Sequence, residues 1–165
     1  MKYNRFEELP VWKAAMKLAQ EIYALTAGRA FLRQRSLRDQ LERAAVSVSN
    51  NIAEGFERGT NQELLTFLYI ARGSAGEVRS MLCLIEGLSA FSDFKSEISN
   101  LKFHAEEISR QLRGWADFLQ NNPIKGQRYV TEKARRSEQS RHDREKFLQQ
   151  LRQIREKPLS GGRTL

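Results

Sequence analysis

Apolar side chains recur every three or four residues over four long stretches of this 165-residue sequence. Each stretch forms one stripe at the 3.6-residue period of an α-helix. A chain with four such stripes and short connections is predicted to be all-α and to fold as an antiparallel up-down four-helix bundle. The stripes are Val11, Ala15, Leu18, Ile22 and Leu25; Leu41, Ala45, Val48 and Ile52; Leu64, Leu68, Ala71, Ala75, Val78, Leu82 and Ile85; and Ile98, Leu101, Ala105, Ile108, Leu112, Trp115 and Leu119.

Capping residues predict where these helices begin. Pro10 suits a first turn because the N–H that it lacks would be unpaired there. Thr60 and Glu63 have the spacing of a capping box and are predicted to open the third helix. Ser36 and Ser92 are predicted to cap the second and fourth helices. The predicted helix ends are Gly28, Gly59, Gly87 and the run Asn121–Pro123.

Positive charge is concentrated at the C-terminal end. The net charge is +8, and residues 123–165 hold 12 Lys and Arg against 5 Asp and Glu, while residues 1–122 hold 16 against 15. We therefore divide the chain into a bundle, 1–122, and a basic, conditionally helical C-terminal extension, 123–165. The extension needs a partner to order it, because its apolar face covers only about two turns. A basic appendage on a near-neutral body favours an acidic partner such as RNA or DNA.

Several classes of protein are disfavoured. No run approaches the roughly 18 apolar residues of a membrane span, and the first residues show no apolar segment typical of a secretory signal. The expected location is therefore cytoplasmic.

Cys83, the single cysteine, stands between two leucines and is expected to be a buried packing residue.

Catalytic and metal-binding patterns are sparse, so no enzyme activity, cofactor or metal is expected. Neither His104 nor His142 follows a glutamate at the spacing that a di-iron bundle requires. His104 with Glu106 and Glu107 leaves a partial metal site as the alternative to an exposed polar face. Arg136 and His142 have the spacing of a helical ribonuclease motif, but they lie in the extension, outside any predicted core.

The second helix carries a polar face made of Ser47, Asn51, Glu54 and Arg58, which are spaced by four, three and four residues. One interpretation is a solvated face with a Glu54–Arg58 pair. The other is a polar seam between helices or subunits, which we favour because serine and asparagine are poor residues inside helices and need compensation.

Small residues predict where helices approach closely. Ala44, Ala45, Ser47 and Ser49 stand on the second helix, and the third carries a run from Gly73 to Gly76. A glycine inside a helix costs roughly 1 kcal/mol relative to alanine. Two glycines within four positions therefore predict close backbone contact.

Five arginines cluster around the first interhelical turn. Arginine binds phosphate through bidentate hydrogen bonds, so the cluster predicts a nucleic-acid contact, with solubility as the open alternative. Together with the extension, the candidate nucleic-acid-binding residues are Arg29, Arg33, Arg35, Arg38, Arg43, Lys125, Arg128, Lys133, Arg135, Arg136, Arg141 and Arg144.

Three blocks, FEELPVWKAA, SVSNNIAEGFER and FLYIARGSAGEV, resemble in order the bacterial four helix bundle protein family. That family includes proteins encoded in intervening sequences of 23S rRNA genes and accessory variability proteins of diversity-generating retroelements. The resemblance implies a four-helix bundle without catalytic residues that assembles into a ring, typically a homopentamer. The signature positions that it assigns to a helix or subunit seam are Trp12, Ser47, Asn51, Glu54, Arg58, Gly73, Ser74 and Glu77.

Two functions follow from the resemblance and the charge. The first is a non-enzymatic ring that binds nucleic acid and a reverse transcriptase as a retroelement accessory protein. The second is a protein–protein adaptor of the intervening-sequence type, in which the apolar face of the extension docks on a partner. The chain departs from the family pattern in one respect, because the family bundle usually ends soon after the fourth helix, whereas this chain continues through the basic residues 123–165. Since the body is almost neutral, the extension is expected to take the place of a basic ring surface.

Overall fold

A computed structural model describes residues 3–121, 140 and 143–149 of the chain. The chain falls into two units, Met1–Arg128 and Tyr129–Leu165, which are described separately. The boundary predicted after Asn122 lies outside the described residues and stays a prediction.

The first unit is built from helices, which confirms the all-α prediction. Four long helices are joined by short connections, and three 3-10 turns occupy the N-terminal end and two of the connections. The long helices are α1 (Pro10–Thr26), α2 (Arg35–Glu57), α3 (Asn61–Glu86) and α4 (Lys95–Gln120), and the 3-10 turns are Phe6–Glu8, Arg29–Arg33 and Ser89–Phe94.

The helix starts follow two of the four predicted caps. Pro10 is the first residue of α1. Thr60 caps α3, because its hydroxyl oxygen accepts a hydrogen bond from the Glu63 backbone N–H at 3.2 Å. Ser36 and Ser92 were wrong as caps. Helix α2 begins one residue before Ser36, and Ser92 lies inside a 3-10 turn that ends just before α4.

Two buried phenylalanines explain these shifted starts. Phe31 and Phe91 stand in the connections before α2 and α4, and their ring centroids lie 4.7 Å apart. Both are almost completely buried, so each connection folds as a 3-10 turn that places its ring at the end of the core. Helices α2 and α4 therefore begin only after the turn that contains the buried ring.

The predicted stripes form the core. Their positions on α1, α2 and α3 are all buried, and on α4 only Trp115 is half-buried. Burial of apolar surface at about 25 cal/mol per Å² supplies the main stabilisation of such a core. The stripes therefore determine which face of each helix points inward.

Consecutive helices run in opposite directions. Helix α2 packs on α3, α3 packs on α4, and α1 packs on both α2 and α4. Between α3 and α4, Glu86 bonds to Lys102 near one end, and Tyr69 bonds to Gln120 near the other. The end of α3 thus lies beside the start of α4, and the start of α3 lies beside the end of α4, so the two helices are antiparallel. The same holds for α1 and α2, because Thr26 donates to the Glu42 carboxylate at 2.5 Å while the earlier residue Ala19 lines one hollow together with the later residue Ser49.

In the second unit, residues 143–149 form a short helix, named here the tail helix. All its side chains are exposed within this unit, including Phe147 and Leu148.

Candidate functional site

The polar face of α2 meets α3 at a hydrogen bond between Ser47 and Ser74, and bonds within each helix extend from it. Ser47, Asn51 and Ser74 are named here the α2–α3 seam. The hydroxyl oxygens of Ser47 and Ser74 lie 2.9 Å apart. The Asn51 amide nitrogen donates to the Ser47 hydroxyl at 2.9 Å and to the Ser47 carbonyl at 2.7 Å. Ser74 donates in turn to the Ile70 carbonyl at 3.1 Å. Ser47, Asn51 and Ser74 thus all have hydrogen-bond partners inside the helices.

The C-terminal end of the same face combines an ion pair with a contact to α3. Arg58 donates to the Glu54 carboxylate at 2.5 Å. Its guanidinium carbon also lies 5.1 Å from the centroid of the Phe67 ring on α3, within the range of a cation–π contact. Both charged side chains are about half exposed.

Close helix approach occurs at Gly55, which the small-residue argument did not select. A Cβ atom there would lie 2.7 Å from Phe67 Cβ and 3.2 Å from Leu64 Cδ1. At Gly73 and Gly76 a Cβ would meet nothing within 4 Å, so the prediction of close contact at those two glycines was wrong for a single chain. Gly55 stands in the SVSNNIAEGFER block, which was the available signal.

The other predicted seam residues lie elsewhere. Gly73 and Glu77 are exposed on the outward face of α3. Trp12 is half-buried on α1 and packs edge-to-face on Phe6, with 5.2 Å between ring centroids. The structure therefore does not bring these three residues to the α2–α3 seam.

The arginine cluster divides into paired and unpaired members. Arg38 lies 3.3 Å from the Asp39 carboxylate and 3.8 Å from that of Glu42. Across the described part of the chain, no carboxylate forms an ion pair with the other four, all of which are exposed: Arg29, Arg33, Arg35 and Arg43.

Arg43 lines a groove on the outer side of α1 and α2. The groove has a volume of about 470 Å³, and Tyr23 and Asn50 also line it. A second hollow of about 380 Å³ adjoins it and shares Tyr23, Val46 and Asn50. No sequence pattern indicated this groove, because Tyr23 and Asn50 stand on different helices and come together only through helix packing.

The extension contributes one described candidate residue. Arg144 is exposed on the tail helix. His142, the histidine of the ribonuclease motif, lies outside the described residues. The same holds for six candidate nucleic-acid-binding residues, Lys125, Arg128, Lys133, Arg135, Arg136 and Arg141.

His104 bonds to a residue that its sequence neighbours did not indicate. Its Nδ1 lies 2.9 Å from the carboxylate of Glu21 on α1. Glu106 pairs with Arg79, and Glu107 pairs with Arg110. The suggested grouping of His104 with the two following glutamates therefore does not form. Within residues 3–121, 140 and 143–149, no three His, Cys, Asp or Glu side chains are arranged to hold a metal ion.

Cys83 is exposed, so the prediction of a buried packing cysteine was wrong. The next turn of α3 holds Glu86, whose carboxylate accepts a hydrogen bond from Lys102 at 2.7 Å. This hydrogen bond raises the pKa of Lys102 above its ordinary value of 10.5, and the Cys83 side chain contributes to the same shift. Helix periodicity explains the exposure, since Leu82 faces the core and the next two residues point outward.

None of the helices in the described ranges is long and apolar enough to cross a membrane. No curated protein matches the sequence. The profile of the 23S rRNA-intervening sequence protein family matches residues 7–114, which is well over half of the chain and includes α1, α2, α3 and most of α4. This match confirms the family resemblance identified from the three sequence blocks, and the chain therefore belongs to the 23S rRNA-intervening sequence protein family.

Proposed function

We propose that this protein is a non-enzymatic, self-associating bundle that binds nucleic acid through phosphate contacts. The observation that carries the proposal is a set of three exposed arginines around the start of α2, which have no ion-pair partner among the described residues. Arg29 and Arg33 lie in the 3-10 turn before α2, and Arg35 is the first residue of the helix. The nearby Arg38 differs from them, because two carboxylates lie beside its guanidinium group and offset its charge. Uncompensated guanidinium groups are free to bind phosphate oxygens.

The basic C-terminal extension supplies the rest of the charge. Residues 123–165 carry 12 Lys and Arg against 5 Asp and Glu. Phosphate contacts are the same at every position of a nucleic acid, so they give affinity without sequence choice.

Within this proposal the protein acts beside a reverse transcriptase as the accessory protein of a diversity-generating retroelement. This is the role of one branch of the family that the sequence resembles.

Self-association follows from two different exposed patches. The outward face of α3 carries Ile70, Gly73 and Leu84, and the outward face of α4 carries Phe103 and Phe118. A closed ring joins one face of each copy to a different face of the next. Two distinct apolar patches support such an arrangement, and the family resemblance sets the proposed number of copies at five.

The test is a salt series. Binding of a structured RNA by the full chain is expected to weaken steeply with salt, because bound arginines release counterions from phosphates. Removal of three phosphate contacts should flatten the slope of log K against log salt by about 2 to 3. The variant carries Arg29→Ala, Arg33→Ala and Arg35→Ala.

A matched control loses three arginines that are already paired with carboxylates, through Arg79→Ala, Arg110→Ala and Arg113→Ala. The proposal requires this control to keep the salt slope of the unmodified chain. Equal slopes for both triple variants would show that the turn makes no phosphate contact. A chain that does not bind RNA even at low salt would refute nucleic-acid binding altogether.

A second candidate function, protein–protein adaptor, is favoured by the tail helix. Phe147 and Leu148 are adjacent on it and are 60% and 45% exposed. An adaptor of this kind binds a partner with little dependence on salt and loses binding with Phe147→Asp. The nucleic-acid proposal instead expects Phe147→Asp to leave RNA affinity within about twofold, since one added charge changes few phosphate contacts.

A further inference from the structure

The groove on the outer side of α1 and α2 is suited to a planar ligand. The two adjoining hollows have volumes of about 470 and 380 Å³, within the roughly 300–1,000 Å³ range of small-ligand sites. Their shared wall is formed by Tyr23, Val46 and Asn50. Buried Ala19 contributes to the second hollow, so the groove has an apolar component beside its polar groups.

Tyr23 offers an exposed aromatic surface. It is 49% exposed, although the nearby stripe residues Ile22 and Leu25 are buried. Within the described part of the chain no hydrogen bond involves its hydroxyl group, whereas Tyr69, which is exposed on α3, accepts one from Gln120. An aromatic ring at a groove wall binds other planar rings by stacking.

Polar groups of two kinds flank this ring. The Asn50 side chain is exposed and makes no hydrogen bond to the described residues, so its amide offers both a donor and an acceptor. Next to it, Asn51 is held by its two bonds to Ser47, which fixes that wall. An amide that presents donor and acceptor together matches the edge of a nucleobase.

The charges of the groove favour a phosphate next to the planar group. Arg43 lines the groove and has no ion pair within residues 3–121, 140 and 143–149. Glu54 also lines it, but the Glu54 carboxylate is paired with Arg58. The uncompensated charge in the groove is therefore positive.

We infer that this groove binds one unpaired nucleotide of a single-stranded nucleic acid, with the base stacked on Tyr23, its edge hydrogen-bonded to Asn50 and its phosphate bound by Arg43. Single-stranded nucleic acids are recognised in this way, through stacking on aromatic side chains and hydrogen bonds to base edges. The inference rests on the proposed nucleic-acid binding and adds to it a contact that the phosphate-binding arginines cannot make.

The experiment uses the full chain and two labelled eight-nucleotide strands, one of uridines and one with the same backbone but without bases. Tyr23→Ala should weaken binding of the uridine strand roughly 5- to 100-fold, the effect of losing one base–aromatic stack. The base-free strand should bind the variant and the unmodified chain equally. Tyr23→Phe keeps the ring and should restore affinity for uridines to within about twofold.

Tyr69→Ala is the matched control, because it removes a tyrosine of similar exposure (41%) on α3 that does not line the groove. It should leave both affinities unchanged. Asn50→Ala should weaken binding of the uridine strand and leave binding of the base-free strand unchanged, because the amide bonds to the base edge. Circular dichroism of each variant verifies the fold.

Two outcomes would overturn the inference in different ways. If the unmodified chain binds both strands equally and Tyr23→Ala changes neither, the groove takes no base, while phosphate binding by the arginines stands. If the unmodified chain binds neither strand nor structured RNA at low salt, the proposed function fails, and the groove inference fails with it.

Discussion

The hydroxyl groups of Ser47 on α2 and Ser74 on α3, with oxygens 2.9 Å apart, are the central link in a one-directional series of hydrogen bonds. A hydroxyl has a single proton. Ser74 donates its proton to the Ile70 carbonyl, so Ser47 must donate to Ser74, and Asn51 donates to Ser47. Within the series, Asn51 donates and the Ile70 carbonyl accepts, while Ser47 and Ser74 each accept one hydrogen bond and donate one.

Replacing Ser47 interrupts this series in the middle. Ser47→Ala removes the bond to Ser74 and the bond accepted from Asn51, and each such bond is worth roughly 0.5–1.5 kcal/mol. We expect a loss of about 1–2 kcal/mol in the free energy of unfolding, measured by urea denaturation. Ser80→Ala, on an exposed position of α3, is the control and should change stability by less than about 0.5 kcal/mol. Equal stability of the two variants would show that the series contributes nothing.

Gly55 allows α2 and α3 to approach closely. An added Cβ would lie 2.7 Å from Phe67 Cβ. Because a Cβ atom is fixed to the backbone, only a backbone shift could remove this clash. Gly55→Ala should therefore destabilise the chain by about 1–3 kcal/mol, as overpacked substitutions do. Gly114→Ala, inside α4 and with no atom within 4 Å of the added Cβ, should stabilise it by up to about 1 kcal/mol. Thermal unfolding of both variants measures this opposite pair of effects, and a stabilising Gly55→Ala would contradict the close approach.

The N-terminal 3-10 turn predicts a pH effect through Glu7. Arg5 donates a hydrogen bond to the Glu7 carboxylate at 2.7 Å, and this bond lowers the pKa of Glu7 from its ordinary value of 4.5. A group whose pKa is lower in the folded state stabilises the fold above its unfolded pKa, and this contribution is lost as the pH falls through the folded pKa. We expect NMR titration to give Glu7 a pKa below 4.5, and Arg5→Ala to raise it towards that value.

The control for this titration is Arg33→Ala, which removes an exposed arginine from a different turn. It should leave the pKa of Glu7 unchanged. In urea unfolding, Glu7→Gln should lose less stability than the unmodified chain as the pH falls below 4.5. A pKa of Glu7 that does not respond to Arg5→Ala would refute this account.

The core was predictable from sequence because burial imposes the helical period on apolar residues. The stripe from Leu64 to Ile85 is buried throughout, and Thr60 at its start is the N-cap that the capping-box spacing indicated. These features depend on residues within one helix, whose relative positions follow from a fixed geometry.

Three features were not predicted because each depends on a neighbouring element. Phe31 and Phe91 pack on each other across the end of the core, and no local pattern links them. Gly55 contacts another helix while Gly73 has open space around it, although both are helical glycines. The groove at Tyr23 likewise requires two helices to be placed side by side. Such contacts are set by packing between helices, which periodicity along one helix does not specify.

The outward face of α3 gives the final prediction, which concerns self-association. Ile70 and Leu84 are 46% and 56% exposed, and Gly73 stands between them with space for a neighbouring backbone. If this face joins copies of the chain, Ile70→Lys with Leu84→Lys should convert the assembly to single chains in sedimentation velocity, because buried unpaired ammonium groups are costly. Since a ring joins two different faces, Phe118→Lys on α4 should weaken the same assembly.

The control adds the same two charges away from both faces, through Gln34→Lys and Gln40→Lys, which are exposed at the start of α2. It should sediment like the unmodified chain. If the unmodified chain already sediments as a single copy, the self-association proposal is wrong. If Ile70→Lys with Leu84→Lys leaves the size of the assembly unchanged, the copies associate through another surface. Loss of assembly in the α3 variant but not in the control would place the contact at Ile70, Gly73 and Leu84, because net charge is then equal in the two variants.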